Sequence, residues 1–238
     1  AAITKQGNPY IFRTSFTQDT AMPKVARYMA QNLKAKTVAV IYVNNDYGKG
    51  LADETRKAMN AAGLTEAVSE SINPGEKDYS ALVSKLKDAG VEAVYFGGYH
   101  PEAGLILKQM GEQGLGAKML SGDSMNSAEL WTIAGKAAEN LIFTFAPEPR
   151  NVPEAKAIVE EFKKSGYDPE GYTLYTYAAF QMYKAAAEAT KSTDNQKLTE
   201  WLRAGNPVDT VLGQIKLDSK GDLVDPKYVW YTFKDGKY

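Results

Sequence analysis

The 238-residue sequence contains no cysteine and one histidine, His100. The first absence excludes disulfides, thiolate metal sites and a cysteine nucleophile, and leaves the cellular compartment open. The second excludes a multi-histidine metal centre within one chain and confines any Ser-His-Asp triad to His100. Such a base needs a nucleophile beside it, and the sequence has no Gly-x-Ser-x-Gly elbow. It has no Gly-x-x-x-x-Gly-Lys-Ser/Thr phosphate loop either. The run Gly111 to Gly116 (Gly-Glu-Gln-Gly-Leu-Gly) follows a helical pattern rather than a strand, so a dinucleotide reading fails on context. Asp218 to Asp222 is too short for a calcium loop and lacks its terminal Glu. Charge of one sign is not in excess: 28 Lys and Arg face 29 Asp and Glu, so nothing favours capture of nucleic acid or of an acidic membrane surface. No apolar run is long enough to span a bilayer. The sequence opens on Ala rather than Met and shows no secretory leader, which predicts a processed or excised product. Together these absences predict a protein that is not an enzyme and uses neither cofactor nor metal.

What is present organises itself around Thr37 to Tyr99, a strand, helix, strand, helix, strand pattern. The segments Thr37–Val43 and Val91–Phe96 are near-continuous apolar runs, the pattern of strands covered on both faces in a parallel sheet. The first ends in Asn44-Asn45-Asp46-Tyr47-Gly48, the second in Gly97-Gly98-Tyr99-His100-Pro101. A third strand, Lys118–Ser121, ends in Gly122-Asp123-Ser124-Met125-Asn126, and a fourth covers Leu141–Ala146. In open α/β sheets ligands sit beyond the carboxyl ends of the strands. Tyr47, Tyr99 and Asp123 all fall there. Each alone has a plain reading: a surface tyrosine after a turn, or a turn aspartate bonding its own backbone. Three consecutive tips offering Tyr, Tyr and Asp form a stronger signal. Aromatic faces with one carboxylate suit a primary ammonium, through cation–π attraction and a charge-assisted hydrogen bond.

Helices are predicted from Asp19 or Thr20 as cap with Pro23 in the first turn, over Gly48–Ala62, from Asp78 as cap, from Pro101, and from Ser127 as cap. After Pro147-Glu148-Pro149-Arg150 the pattern changes. Helices over Pro153–Ser165 and Tyr172–Thr190, and a third capped by Asp194, precede strands over Thr210–Leu217 and Lys227–Phe233. Tyr172 leads the long helix and is a candidate pocket residue; the other aromatics of that helix read as packing. These amphipathic helices have too few strands to cover them, so an N-terminal segment supplying a sheet is expected outside this chain.

The residues resemble a known family. Ile11-Phe12-Arg13-Thr14, Asp46-Tyr47-Gly48-Lys49-Gly50-Leu51-Ala52, Pro74-Gly75-Glu76-Lys77-Asp78-Tyr79-Ser80-Ala81-Leu82, Tyr95-Phe96-Gly97-Gly98-Tyr99-His100-Pro101-Glu102, Thr176-Tyr177-Ala178-Ala179 and Asp218-Ser219-Lys220-Gly221-Asp222-Leu223 are similar, in order, to the periplasmic branched-chain amino-acid (LIV-type) binding proteins of ABC transporters. The resemblance implies an α/β, two-lobed type I periplasmic-binding-protein fold with parallel sheets flanked by helices, its first lobe incomplete in this chain. Residues 13–146 and 227–238 would form the second lobe, and 1–12 and 147–226 the remnant of the first lobe with the hinge crossings. It implies ligand binding by Tyr47, Tyr99, Asp123 and Tyr172. Asp123 would take the α-ammonium, where many relatives carry the longer Glu. It further implies a small amino-acid ligand, an ABC permease as membrane partner, no nucleic acid, and a periplasmic location, or lipid anchoring outside the membrane of a Gram-positive source. A ligand-sensing regulatory or receptor domain of the same fold is the alternative. The chain alone is expected to bind ligand weakly, because the side that holds the ligand's carboxylate falls in the expected N-terminal segment.

Overall fold

The structure, a computed structural model, describes residues 2–238 and all their side chains except those of Ala2, Gln18, Asp19 and Thr20. The chain divides into two compact units, one of residues 18–145 with 229–238, the other of residues 1–17 with 146–228.

In chain order the elements open with helices α1 (Ala2–Lys5) and α2 (Gln18–Arg27). Strand β1 (Val38–Val43), helix α3 (Asp46–Ala61), strand β2 (Glu66–Ile72), helix α4 (Ser80–Asp88) and strand β3 (Ala93–Gly97) follow. Next come α5 (His100–Glu112), β4 (Lys118–Ser121), α6 (Glu129–Ala134) and β5 (Leu141–Phe145). Helices α7 (Lys156–Lys164), α8 (Thr173–Thr190) and α9 (Asn195–Arg203), the short strands β6 (Val208–Thr210) and β7 (Gly213–Ile215), and β8 (Val229–Thr232) complete the chain.

The unit of residues 18–145 and 229–238 is built on a six-stranded sheet among the described residues, in the order β2-β1-β3-β4-β5-β8. The first five strands are parallel and β8 joins β5 antiparallel, with Phe143 opposite Tyr231. The central strands are buried on both faces, as their unbroken apolar sequences require: every residue of β3 and β5 is buried. Chain order reverses direction beside β1, since β2 lies on one side of it and β3 on the other. This is a topological switch point, where a crevice opens beyond the strand ends. Helices α2 and α3 pack together, and α5 packs on both α4 and α6. One polar cluster lies inside: Thr55 and the fully buried Tyr95 each donate a hydroxyl to the Met22 sulfur at 3.1 Å.

The unit of residues 1–17 and 146–228 has its own core, in which Leu174, Ala178, Met182 and Ala186 of α8 meet Leu198 and Leu202 of α9 and Val208, Val211, Ile215 and Leu217 near the β6–β7 hairpin. Its only sheet among the described residues is that hairpin. The opposite side of α8 leaves Phe180 72% exposed and Tyr183 49% exposed. The turn at Asp218–Asp222 acts as a staple. Asp222 pairs with Arg13 at 2.7 Å and accepts the Thr4 hydroxyl at 2.9 Å, and the Gly221 carbonyl accepts the Arg13 N–H at 2.9 Å.

Several sequence expectations change. Pro23 sits inside α2 rather than in its first turn, because the helix begins at Gln18; the expected caps, Asp19 and Thr20, lie outside the described side chains. Thr210–Leu217 is not one strand: Gly213, at φ 80°, folds it into the hairpin of β6 and β7, and the Thr210 hydroxyl bonds across the turn to the Gly213 carbonyl. Asp78 and Ser127 are not the helix caps. Each stands one residue earlier and accepts the N–H two residues on, from Ser80 and Glu129, so they stabilise the turns into α4 and α6. Asp194 does cap α9, accepting the Lys197 N–H. The first turn of the predicted Pro153 helix is a 3-10 turn before α7.

Replacing Met22 by Leu is expected to lower stability by about 1–2 kcal/mol, because two buried hydroxyls lose an acceptor. Denaturant unfolding would measure it, with Thr55→Val in the same background recovering part of the loss. Stability equal to the parent would show that the sulfur is no acceptor.

Candidate functional site

The site is built at the carboxyl ends of β1, β3 and β4, which are neighbours in the sheet. After β1, Asn45 caps α3 by accepting the Gly48 N–H at 2.8 Å, which sets Tyr47 in the helix's first turn. Gly48 then lies directly on the strand ends. A Cβ there would stand 2.2 Å from the Val43 carbonyl oxygen and 2.7 Å from that of Gly97. Gly97 faces the same constraint in reverse, since its Cβ would meet the Gly48 oxygen at 2.9 Å. At Gly98 a Cβ would collide with Val43 and with the Phe96 ring. These glycines let α3 approach the gap between β1 and β3.

That approach brings the predicted rim together. The rings of Tyr47 and Tyr99 stack with centroids 5.0 Å apart and planes 23° apart. The Tyr47 hydroxyl donates to Asp123 Oδ1 at 3.3 Å. Asp123 opens a 3-10 turn directly after β4, and Ser121 at the end of that strand donates its hydroxyl to the Phe96 carbonyl at 2.7 Å, fixing β4 to β3. Tyr99 precedes α5 in extended conformation and stays 42% exposed, so its ring presents a face to solvent. Burial chiefly, and then the neighbouring Asp123 charge, push the Tyr47 phenol well above the ordinary tyrosine range. The phenol therefore remains a proton donor.

Tyr172 belongs to the other unit. It caps α8 there, 39% exposed, with its ring 5.7 Å from that of Tyr175. His100 pairs with Glu129 at 3.0 Å at the α5 start. Among the described residues no cluster of His, Cys, Asp or Glu could hold a metal ion, and no helix is long and apolar enough to cross a membrane. Ser124, not singled out from the sequence, donates its hydroxyl to the Gly98 carbonyl. Its place in the loop after β4 was legible; its partner, 26 residues back along the chain, was not.

This geometry can be set beside known proteins. A family model described as periplasmic binding protein matches residues 1–237. The chain belongs to that family. The chain is 46% identical over 238 residues to a Leu/Ile/Val-binding protein homolog of Brucella suis, and 44% identical over 239 residues to an amino acid binding protein of Pseudomonas aeruginosa. In each case 99% of this chain is matched and the chain spans 64% of the relative's length. Among solved structures, a leucine binding protein of Thermotoga maritima superposes with a TM-score of 0.86 at 29% identity, covering 97% of this chain and 67% of that one. A branched-chain amino acid transporter substrate binding protein of Streptococcus pneumoniae, solved with isoleucine, superposes at 0.85 with 24% identity and the same fold, covering 98% and 66%. The α/β architecture of a mostly parallel sheet flanked by helices is thus that of type I periplasmic binding proteins, a family of substrate-binding rather than catalytic proteins.

Two outcomes test the geometry. Gly48→Ala is expected to cost about 1–3 kcal/mol, since its Cβ meets backbone oxygens at 2.2 and 2.7 Å; a loss below about 1 kcal/mol in denaturant unfolding would contradict the close approach. In alkali, Tyr47 and the buried Tyr95 are raised above the ordinary phenol range and Tyr79 is pushed up to about 12, each chiefly by burial. The folded state then holds these protons longer than the unfolded chain does. Their contribution to stability is complete below about pH 10 and is lost as pH rises through the folded values. Phenolate absorbance should show these rings ionising at higher pH than a free tyrosine.

Proposed function

We propose that this protein binds a small aliphatic amino acid, of the branched-chain type, and delivers it to an ABC permease outside the cytoplasmic membrane. One observation carries the reading: at the switch point of the sheet, three adjacent strand tips join a stacked pair of tyrosines to a carboxylate. Asp123 takes the ligand's ammonium through a charge-assisted hydrogen bond, and the exposed ring of Tyr99 adds cation–π attraction. Tyr47 orients the carboxylate and backs the Tyr99 ring. The likeness to a Leu/Ile/Val-binding protein homolog and to a leucine binding protein supports the side-chain class.

In this reading the two compact units are parts of the two lobes, the sheet-bearing one being the ammonium side. Tyr172 adds an aromatic wall from the other lobe, and the ligand's carboxylate is held away from the three-strand rim. The crossings near residues 17, 146 and 228 act as the hinge. Ligand that touches both lobes favours closure, because it binds the closed form better than the open one.

Calorimetry on the full product of the reading frame tests this. Leucine, isoleucine or valine should bind, and Asp123→Asn should weaken binding at least tenfold, about 1.4 kcal/mol, while the melting temperature stays near that of the parent. The deaminated analogue 4-methylpentanoate should not bind. Unchanged affinity in the Asn variant would remove Asp123 from the site, and absence of heat with every amino acid would remove the function.

A further inference from the structure

We infer that Ser124 is a positioning residue that holds the Tyr99 ring in its stack on Tyr47 by anchoring the carbonyl of Gly98. The inference rests on the amino-acid-binding reading for its functional consequence, and on geometry alone for its structural one.

Tyr99 is separated from the end of β3 at Gly97 by Gly98 alone. Glycine backbone is the most permissive in the chain, so β3 by itself does not fix where the next side chain points. The peptide between Gly98 and Tyr99 is a rigid plane. Fixing its carbonyl fixes the plane as far as the Tyr99 Cα; on the other side the Tyr99 carbonyl accepts the Ala103 N–H of α5 at 3.1 Å, and the two anchors together limit the direction in which the side chain leaves the backbone. The Ser124 hydroxyl supplies that fixing contact by donating to the Gly98 oxygen. Tyr99 is 42% exposed, and its ring stacks on Tyr47 with centroids 5.0 Å apart.

Ser124 is suited to this because of where it sits. It belongs to the same 3-10 turn as Asp123, directly after β4. Its neighbour in the turn, Asp123, accepts the hydrogen bond from the Tyr47 phenol. One short turn therefore sets the carboxylate with its first residue and the aromatic pair with its second. Carboxylate and ring face keep a constant separation even though they come from different strands. A ligand ammonium that must reach both meets them already spaced, and saves the cost of ordering a mobile ring on binding.

The test uses Ser124→Ala and Ser124→Thr in the full product of the reading frame, with Tyr99→Phe to assign the Tyr99 ring signals in NMR spectra of protein labelled at tyrosine. In the parent, the Tyr99 ring protons carry an upfield shift from the stacked Tyr47 ring. Ser124→Ala should collapse that shift and weaken leucine binding about five- to tenfold, with little change in melting temperature. Ser124→Thr, which keeps the hydroxyl, should restore both. An unchanged Tyr99 shift in Ser124→Ala would overturn the inference. So would a large fall in melting temperature, which would make the serine a structural residue, or a failure of Thr to restore the shift. Absence of leucine binding in the parent would sink the amino-acid reading instead, and the ring shifts would still decide the role of Ser124.

Discussion

Backbone resting on backbone, where α3 begins, is the constraint on which the site depends. With 2.2 Å between a Cβ at residue 48 and the Val43 oxygen, no side chain fits there, and Gly97 closes the contact from the other side. A bulkier residue would push the helix start off the strand ends. Tyr47, one residue before the contact, would move with it, and so would its ring contact with Tyr99 and its hydrogen bond to Asp123. A few glycines thus convert the general crevice of a parallel sheet into a defined group of side chains.

The chemistry of that group follows from its surroundings. Burial keeps the Tyr47 phenol protonated far into the alkaline range, so it remains a hydrogen-bond donor to the carboxylate. A neutral donor on a carboxylate oxygen sets its direction without cancelling its charge. The exposed ring of Tyr99 stands beside it, and Tyr99 keeps its face open because its partner lies behind it. Just beneath the rim, Ser121 ties β4 to β3.

The other unit is held differently. Its small core lies between α8, α9 and one hairpin, and its extended N-terminal segment is clamped by polar contacts rather than by a sheet ladder. Arg13 and Thr4 meet Asp222, while Arg203 donates to the carbonyls of Asn8 and Pro9 and lies over the Phe12 ring. Gly221, at φ 88°, passes so near the Ile11 oxygen that a Cβ would stand 2.5 Å from it. The sequence marked Asp218–Asp222 as a turn; it could not show that the turn's purpose is to grip residues 4–13. On α8 of this unit Phe180 and Tyr183 are exposed.

Local pattern carried the order of strands and helices from Thr37 onward. Doubly buried parallel strands leave an unbroken apolar signature, and helix ends leave glycines and caps. Pattern also placed Tyr47, Tyr99 and Asp123 at strand ends. It failed where a single residue's dihedral decides, as at Gly213, and where a cap can sit one residue either way, as at Asp78 and Ser127. Which strands became neighbours, and therefore which tips share a crevice, was decided only by the tertiary structure. So was the role of Ser124's hydroxyl, because a hydrogen bond between residues 26 apart has no period to betray it. Periodicity records which face of an element is buried; contact between elements depends on how closely backbones can approach, and that is settled in three dimensions.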